Sequence, residues 1–75
     1  MVHVYPNPVA DAFYIETPHL NSVYTINVYN ALGELMLSKD GERKTEIITS
    51  SWNSGVYVWE LQSGSEIRRG KFIKK

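Results

Sequence analysis

Residues 23–33 of the chain read VYTINVYNALG, and this stretch indicates the fold class. Tyr24, Ile26 and Val28 alternate with more polar side chains, which is the period expected of a strand with one buried face. Residues 30–33 have turn character, and Gly33 supplies a position where a positive φ costs little. The stretch therefore predicts a half-buried β-strand that ends in a tight turn.

Similar short runs extend from this stretch in both directions, and none shows sustained helical periodicity. We expect seven strands, at residues 2–5, 12–17, 23–29, 34–38, 43–48, 56–62 and 66–74. Short strands with turns about every 8–12 residues are typical of an all-β, immunoglobulin-like sandwich of two antiparallel sheets. A small barrel is the alternative architecture.

The dipeptide Asp40-Gly41 is a strong signal for a hairpin turn. It predicts that the strand at residues 34–38 pairs directly with the strand at residues 43–48.

Alternation also predicts which side chains fill the core, because every second residue of a strand points to the same face. Ile47 and Ile48 are adjacent, so the inward face of their strand stays ambiguous. On the other strands, the positions that we expect to point inward are Phe13, Ile15, Tyr24, Ile26, Val28, Leu35, Leu37, Tyr57, Trp59 and Leu61.

The chain has 75 residues, which is enough for one domain. A domain of this size buries only about 60% of the surface of its unfolded chain, so its core must use nearly every large apolar side chain. Trp52, Tyr57 and Trp59 could instead form a flat exposed strip that stacks on sugar rings. We favour core packing, with Trp52 closing the end of the sandwich and the strand at residues 56–62 buried on both faces.

The charge balance and the absence of cysteine exclude several classes of protein. Eight basic residues match eight acidic residues, which argues against a general nucleic-acid binder and against a module held on membranes by charge. The lack of cysteine excludes disulfides and thiolate chemistry but leaves the compartment open. The first ten residues do not form a signal peptide, and no apolar run is long enough to span a membrane.

No catalytic arrangement emerges from the sequence, so we expect a non-catalytic domain without a metal or cofactor. His3 and His19 have no cysteine or carboxylate at metal-ligand spacing. No serine stands in a nucleophile elbow, and the scattered carboxylates do not form the facing pair of a glycosidase. The five glycines occupy single turn or strand positions and form no phosphate-binding loop.

The chain closes on a basic and apolar segment made of Lys71, Phe72, Ile73, Lys74 and Lys75. One interpretation is an edge strand whose lysines prevent aggregation between sheets. The other is a recognition signal for a partner, and residue chemistry alone leaves both open. An exposed edge strand in a marginally stable domain would also allow weak pairing of two copies.

Three motifs, in order and at a fixed spacing, carry a resemblance to a known family. They are the opening Tyr5, Pro6, Asn7 and Pro8, the stretch VYNALGE at residues 28–34, which ends in Gly33 and Glu34, and the stretch SWNSGVYV at residues 51–58, which contains Gly55 and Tyr57. Together with the Lys-rich close, they resemble the C-terminal sorting domain of type IX secretion cargo over residues 4–75. Trp52 stands where the family usually has Leu, and Asn30 stands where Asp is common.

The resemblance implies that residues 1–75 form a single sorting domain, excised here from the C-terminus of a larger precursor. A separate N-terminal signal would bring the precursor to the periplasm, and the sorting domain would direct it through the outer-membrane translocon. In many members a surface sortase removes the domain and links the cargo to lipopolysaccharide or releases it. The implied partners are the upstream cargo and the type IX translocon and sortase components, in a Gram-negative bacterium whose surface or medium receives the cargo.

The resemblance also implies structural roles for single motif residues. Pro6 and Pro8 would stiffen the start of the domain and fix the direction of the first strand. Gly33 and Gly55 would allow turns that other residues would strain, and Tyr57 would anchor the core.

The resemblance further implies that residues 71–75 form the recognition segment. Lys71, Lys74 and Lys75 would present exposed positive charge to an acidic patch on a translocon component. Two other functions are the alternatives. A carbohydrate- or surface-binding module requires an exposed Trp52 or Trp59, and a structural or adhesive spacer would tolerate replacement of its last residues.

Overall fold

The computed structural model describes residues 2–17 and 23–75, and the predicted turn with His19 lies outside them. The described residues form strands and no helix, so the all-β prediction is confirmed and no membrane-spanning helix is present among them. The strands are β1 (His3–Tyr5), β2 (Ala12–Glu16), β3 (Tyr24–Tyr29), β4 (Leu35–Gly41), β5 (Lys44–Ile48), β6 (Gly55–Ser63) and β7 (Glu66–Lys74).

These strands, as far as the structure describes the chain, form two antiparallel sheets. One sheet has the order β1-β2-β5, and the other has the order β4-β3-β6-β7. Every pair of neighbours is antiparallel. Two sheets that enclose one core between them are the predicted sandwich, in place of the alternative closed barrel.

The core lies between the inner faces of the two sheets. Strand β3 shows the predicted alternation most clearly, because Tyr24, Ile26 and Val28 are buried and the residues between them are half-buried. The ambiguity in β5 is resolved, since Ile47 is buried and Ile48 is 57% exposed on the outer face. The buried apolar side chains of the described residues are Val9, Phe13, Ile15, Tyr24, Ile26, Val28, Ile47, Tyr57, Trp59, Leu61 and Phe72.

The predicted hairpin at Asp40-Gly41 is wrong, because β4 and β5 belong to different sheets. Gly41 still pairs with Tyr24 at the end of β4, and the chain then crosses between sheets through Arg43, whose φ is 62°. A Cβ at position 41 would collide with the hydroxyl of Thr45 and lie 3.0 Å from the Tyr24 ring. The glycine therefore allows close contact between the sheets and does not form a tight turn.

The expected inward direction of Leu35 is also wrong. The pairing of β3 with β4 shifts between Val28 and Tyr29, so that Met36 is an extra residue between Leu35 and Leu37. One extra residue moves a side chain to the opposite face, because strands have a period of two. Leu35 is accordingly 55% exposed, whereas Leu37 packs partly against the core.

Candidate functional site

Strand β7 contains most of the predicted recognition segment and lies at one end of the four-stranded sheet. It pairs with β6 along its whole length, from the Ser63–Glu66 pair beside the turn to the Gly55–Lys74 pair. Gly64 completes that turn with a φ of 60°, which suits glycine. The last strand is therefore held in the sheet by one neighbouring strand.

The five residues of the predicted recognition segment divide into two groups. Phe72 is 1% exposed, and its ring lies 4.3 Å from that of Phe13 and 5.5 Å from that of Tyr57, measured between centroids. Lys71, Ile73 and Lys75 are exposed. Phe72 thus belongs to the core, and the outward surface at the end of the chain consists of the other three side chains.

The expected exposure of Lys74 is wrong. Its position shares the inward face of β7 with Phe72, so its side chain is 7% exposed, and its Nζ donates a hydrogen bond of 2.9 Å to the backbone oxygen of Lys75. A lysine can bury its long aliphatic stem while its ammonium group keeps a polar partner. Lys74 therefore does not present free charge to a partner.

The first motif lies against the end of β7. We call residues 7–9 the clasp. The N–H of Val9 donates to the carbonyl of Ile73 at 2.6 Å, and the N–H of Lys75 donates to the carbonyl of Val9 at 2.8 Å. The Oδ1 of Asn7 accepts the N–H of Ile73 at 3.1 Å. Val9 and Lys74 form a parallel bridge, so the start of the domain covers the outer edge of its last strand.

The prolines of the first motif flank Asn7, and both X-Pro bonds, before Pro6 and before Pro8, are cis. Neither proline has an N–H to donate to a neighbouring strand. The two prolines lie in the segment that connects β1 in one sheet to Val9 at the edge of the other. Their expected role in directing the first strand stays a prediction. Sequence reasoning missed Val9, because a single apolar residue between Pro8 and a polar turn shows no periodicity.

Tyr5 is held to the outer face of the three-stranded sheet. Its ring stacks on that of Tyr14 at 5.6 Å, and the Nζ of Lys44 lies 5.9 Å from the Tyr5 centroid and 5.0 Å from the Tyr14 centroid. A hydrogen bond with Tyr5 raises the pKa of Lys44. The pKa of Tyr14 is also raised, because the Tyr14 hydroxyl donates a hydrogen bond to Glu46. Tyr5 therefore links β1 to its neighbour β2 through Tyr14 and reaches across the sheet to Lys44 of β5.

The second motif forms the predicted turn after β3. The Oδ1 of Asn30 accepts the N–H groups of Leu32 at 3.0 Å and of Glu34 at 2.9 Å, while its Nδ2 donates to the Glu34 carboxylate at 2.8 Å. Gly33 has a φ of 84° and donates its N–H to the carbonyl of Asn30 at 3.0 Å. Asn30, Gly33 and Glu34 are thus explained by local turn structure.

The third motif anchors the other side of the core. Tyr57 is buried, and its hydroxyl donates to the carbonyl of Asn53 at 2.6 Å, so its predicted role as a core anchor is confirmed. The Trp52 ring lies 5.2 Å from the Tyr57 ring and packs partly against the core. Gly55 begins β6 with a φ of 152°, in the region that favours glycine.

The aromatic residues of the third motif and the adjacent Trp59 do not form an exposed strip. Trp59 is 8% exposed, and its indole lies against Gly70, where a Cβ would lie 2.6 Å from the ring. The sugar-binding alternative required exposure of Trp52 or Trp59, and of these Trp59 is buried while Trp52 is half-buried. The prediction that β6 is buried on both faces is also wrong, since Val56 is exposed and Val58 is half-buried on the outer face.

A shallow cavity of 210 Å³ separates the turn of the second motif from the loop of the third. Backbone, amide, hydroxyl and apolar groups line it, including those of Asn30, Leu32, Asn53 and Val56. No histidine or carboxylate lines it, and the hydroxyl of its lining residue Tyr57 donates to the carbonyl of Asn53. Across the described ranges, no three histidine, cysteine or acidic residues lie together as metal ligands would.

Basic residues are concentrated on β7 and its end. Residues 66–75 contain five of the eight basic residues of the chain and one of the eight acidic residues. Arg69 pairs with Glu60 of β6 at 2.8 Å, and Arg68 pairs with Glu66 at 2.5 Å. The Lys71 side chain makes no hydrogen bond or ion pair with another described residue, which leaves its charge available.

The comparisons with known proteins agree with this arrangement of motifs. The family model described as "Secretion system C-terminal sorting domain" matches residues 3–75. A comparison with curated proteins found no significant match. The matched range includes all three motifs, the clasp and the last strand. The chain belongs to the family of C-terminal sorting domains of type IX secretion.

Proposed function

We propose that this domain acts as a folded sorting signal whose outward surface at the end of β7 contacts the type IX secretion machinery. The family assignment supplies the sorting role. The observation that supports the location is the division of the last five residues, in which Phe72 and Lys74 point inward. Lys71, Ile73 and Lys75 are the side chains left for a partner, and we call them the terminal surface.

In this proposal the domain is joined to an upstream cargo in a larger precursor. The cargo crosses the outer membrane through the translocon and reaches the cell surface or the medium. A surface sortase then removes the domain and attaches or releases the cargo. In this proposal the domain itself supplies recognition, in line with the sorting role of its family, and the sortase supplies the chemistry.

The test is an export assay in a bacterium with type IX secretion. A periplasm-directed reporter carries the whole chain at its C-terminus, and the amount of reporter outside the cell is compared with that in the periplasm. Deleting residues 71–75 is unsuitable, because it also removes Phe72 from the core. Single substitutions on the terminal surface avoid this problem, and we choose Lys71→Glu and Ile73→Ser.

Control positions lie away from the end of β7, one on β5 of the other sheet and one on β4. Ile48 is 57% exposed and Ile73 is 52% exposed, so Ile48→Ser makes the same change at a similar surface. Lys39→Glu reverses an exposed lysine on β4, at the opposite end of the sheet order from β7, and also removes its hydrogen bond of 3.1 Å to the carbonyl of Glu46. We expect the terminal-surface variants to stay in the periplasm, folded, while the control variants are exported. Export of all four variants at the level of the unchanged domain would overturn the proposed location.

A further inference from the structure

The backbone groups of β7 that face away from β6 can be identified from the clasp. In an antiparallel pair, residues alternate between those bonded to the neighbouring strand and those whose N–H and C=O point outward. The clasp bonds to the N–H and C=O of Ile73 and to the N–H of Lys75. The outward groups before them on the strand are therefore those of Ile67, Arg69 and Lys71.

These three residues have no neighbouring strand in the described part of the chain, because β7 ends the sheet order. The Nη1 of Arg68 donates to the carbonyl of Ile67 at 3.1 Å. The outward N–H and C=O groups of Arg69 and Lys71 are left for solvent or a partner. We call residues 67–71 the open edge.

The clasp demonstrates that the outward side of β7 accepts a further strand, at Ile73 and Lys75, which follow the open edge. Val9 makes two backbone hydrogen bonds to it, of 2.6 and 2.8 Å. The clasp runs parallel to β7, so Pro8 and Pro6 precede Val9 in the direction of Lys71. Neither proline can donate a hydrogen bond, so the ladder stops there. The open edge thus begins where the prolines end the clasp.

Charge decides what can pair with the open edge. A second copy pairing antiparallel about its centre would place Arg69 opposite Arg69 of that copy, and directly opposed like charges destabilise a sheet. An acidic strand would instead meet the unpaired Lys71 and, on the same face, Arg69, whose guanidinium also pairs with Glu60. Every second side chain of a strand lies on the same face. The favourable partner sequence therefore has acidic residues beside Lys71 and Arg69, with one residue between them, and then an apolar residue beside Ile67.

We propose that the open edge binds an extended acidic segment of another protein by strand addition, next to the clasp. The inference rests on the proposed function, in which that protein belongs to the secretion machinery. Main-chain hydrogen bonds supply affinity in this mode, and the alternating side chains supply specificity. The weak pairing of two copies expected from an exposed edge is disfavoured here by Arg69.

The experiment measures binding of a synthetic peptide to the whole chain. The peptide has seven residues and carries a fluorescein label. Two of its residues are glutamates with one residue between them, and a valine stands two positions after the second glutamate. A peptide of the same composition in scrambled order is the control. Fluorescence anisotropy gives the affinity, and hydrogen exchange measured by NMR follows the amides of Arg69 and Lys71. We expect the ordered peptide to bind more tightly and to protect both amides.

Two substitutions at Lys71 separate the charge from the backbone donor. Lys71→Gln removes the charge and should weaken binding about two- to fivefold, as for one exposed ion pair. Lys71→Pro also removes the outward N–H, which β6 does not use, and should weaken binding by about tenfold or more. Lys39→Gln should leave the affinity unchanged, and circular dichroism checks that each variant is folded.

Three results would overturn the inference. They are equal binding of ordered and scrambled peptides, no protection of the two amides, or equal affinity of the Lys71→Gln and Lys71→Pro variants. If the Lys71→Gln and Lys71→Pro variants bind equally to vesicles of anionic lipid and the peptide does not bind, the basic residues would contact a membrane surface instead. If the peptide fails while Lys71→Glu still blocks export of the reporter, strand addition is wrong and the proposed function stands.

Discussion

Asn30 organises the turn after β3 through its own side chain, which makes three hydrogen bonds with the following residues. Asn30→Ala removes all three, and we expect the free energy of unfolding to fall by about 1–2 kcal/mol, since the turn is exposed to water. Urea unfolding followed by tryptophan fluorescence measures the change.

Asn30→Asp is the matched control for this turn. The aspartate keeps the acceptor for the N–H groups of Leu32 and Glu34 but places a second carboxylate beside that of Glu34, so the alanine and aspartate variants are compared in a Glu34→Gln background. It should therefore retain more stability than the alanine variant. If alanine and aspartate destabilise the domain equally, the two backbone contacts contribute nothing measurable and the explanation of this motif is wrong.

Gly70 is needed because of its contact with the Trp59 indole, where an added Cβ would lie 2.6 Å from the ring. Gly70→Ala forces that buried ring to move, and we expect a loss of about 1–3 kcal/mol in the free energy of unfolding. Lys71→Ala, one residue further on and outward, should change stability by less than about 0.5 kcal/mol. Equal unfolding midpoints for the two variants would contradict this packing.

The glycines show which roles of single residues can be predicted from the sequence and which cannot. Gly33 was predicted correctly, because the reason for it is local: a turn that needs a positive φ. Gly41 was predicted to make a hairpin, and Gly70 was not singled out, because the reason for each is a contact with a distant residue. An Asp-Gly pair cannot reveal whether its glycine serves the backbone angle or the space beside it.

At the scale of strands, the clasp connects the first and last parts of the chain. Asn7→Ala removes the acceptor of the Ile73 N–H, and we expect the amide of Ile73 to exchange with solvent about three- to tenfold faster, as for the loss of one exposed hydrogen bond. The amide of Ile26, in the central strand β3, should be unaffected. Equal acceleration at both amides would mean that Asn7 supports global stability and not the clasp alone.

The aromatic cluster on β1, β2 and β5 should respond to alkaline pH. Tyr14 and Lys44 hold their protons more tightly in the folded domain than in the unfolded chain, whose ordinary pKa values are 10.0 and 10.5. Their contribution to stability is therefore complete below these values and is lost as the pH rises through the raised pKa values.

Tyr14→Phe isolates the tyrosine part of this effect. The variant lacks the hydroxyl that bonds to Glu46 at 3.1 Å, and it has nothing to ionise at that position. We expect the unchanged domain to be more stable than the variant at pH 8, and the difference to shrink as the pH approaches 11. Urea midpoints across this range measure it. A difference that grows with pH would show that the direction of the pKa shift is wrong.

Prediction of strands from the sequence succeeded where the cause is alternation and failed where one residue is inserted. The strand with Tyr24, Ile26 and Val28 was identified from its pattern alone. The bulge at Met36 reversed Leu35, because no residue type marks an extra position between two paired strands. The assignment of β4 and β5 to separate sheets likewise depends on contacts across the sandwich and not on the turn between them.

For the whole molecule, the sandwich joins sequence motifs that lie far apart. Asn7 and Ile73 are 66 residues apart in the chain and share a hydrogen bond. The fold class, the core aromatics and the three motifs could be predicted, because each has a local pattern or a family resemblance. The clasp and the burial of Lys74 could not, because both arise only when the first and last segments meet.

The central claim is that the terminal surface contacts the secretion machinery while the rest of the fold supports it. The most direct test places a photo-reactive amino acid at position 73 or, as the matched control, at position 48, in the exported reporter fusion. We predict cross-links to a protein of the secretion machinery from position 73 and none from position 48. Efficient export without cross-links from position 73, or equal cross-links from both positions, would contradict the account.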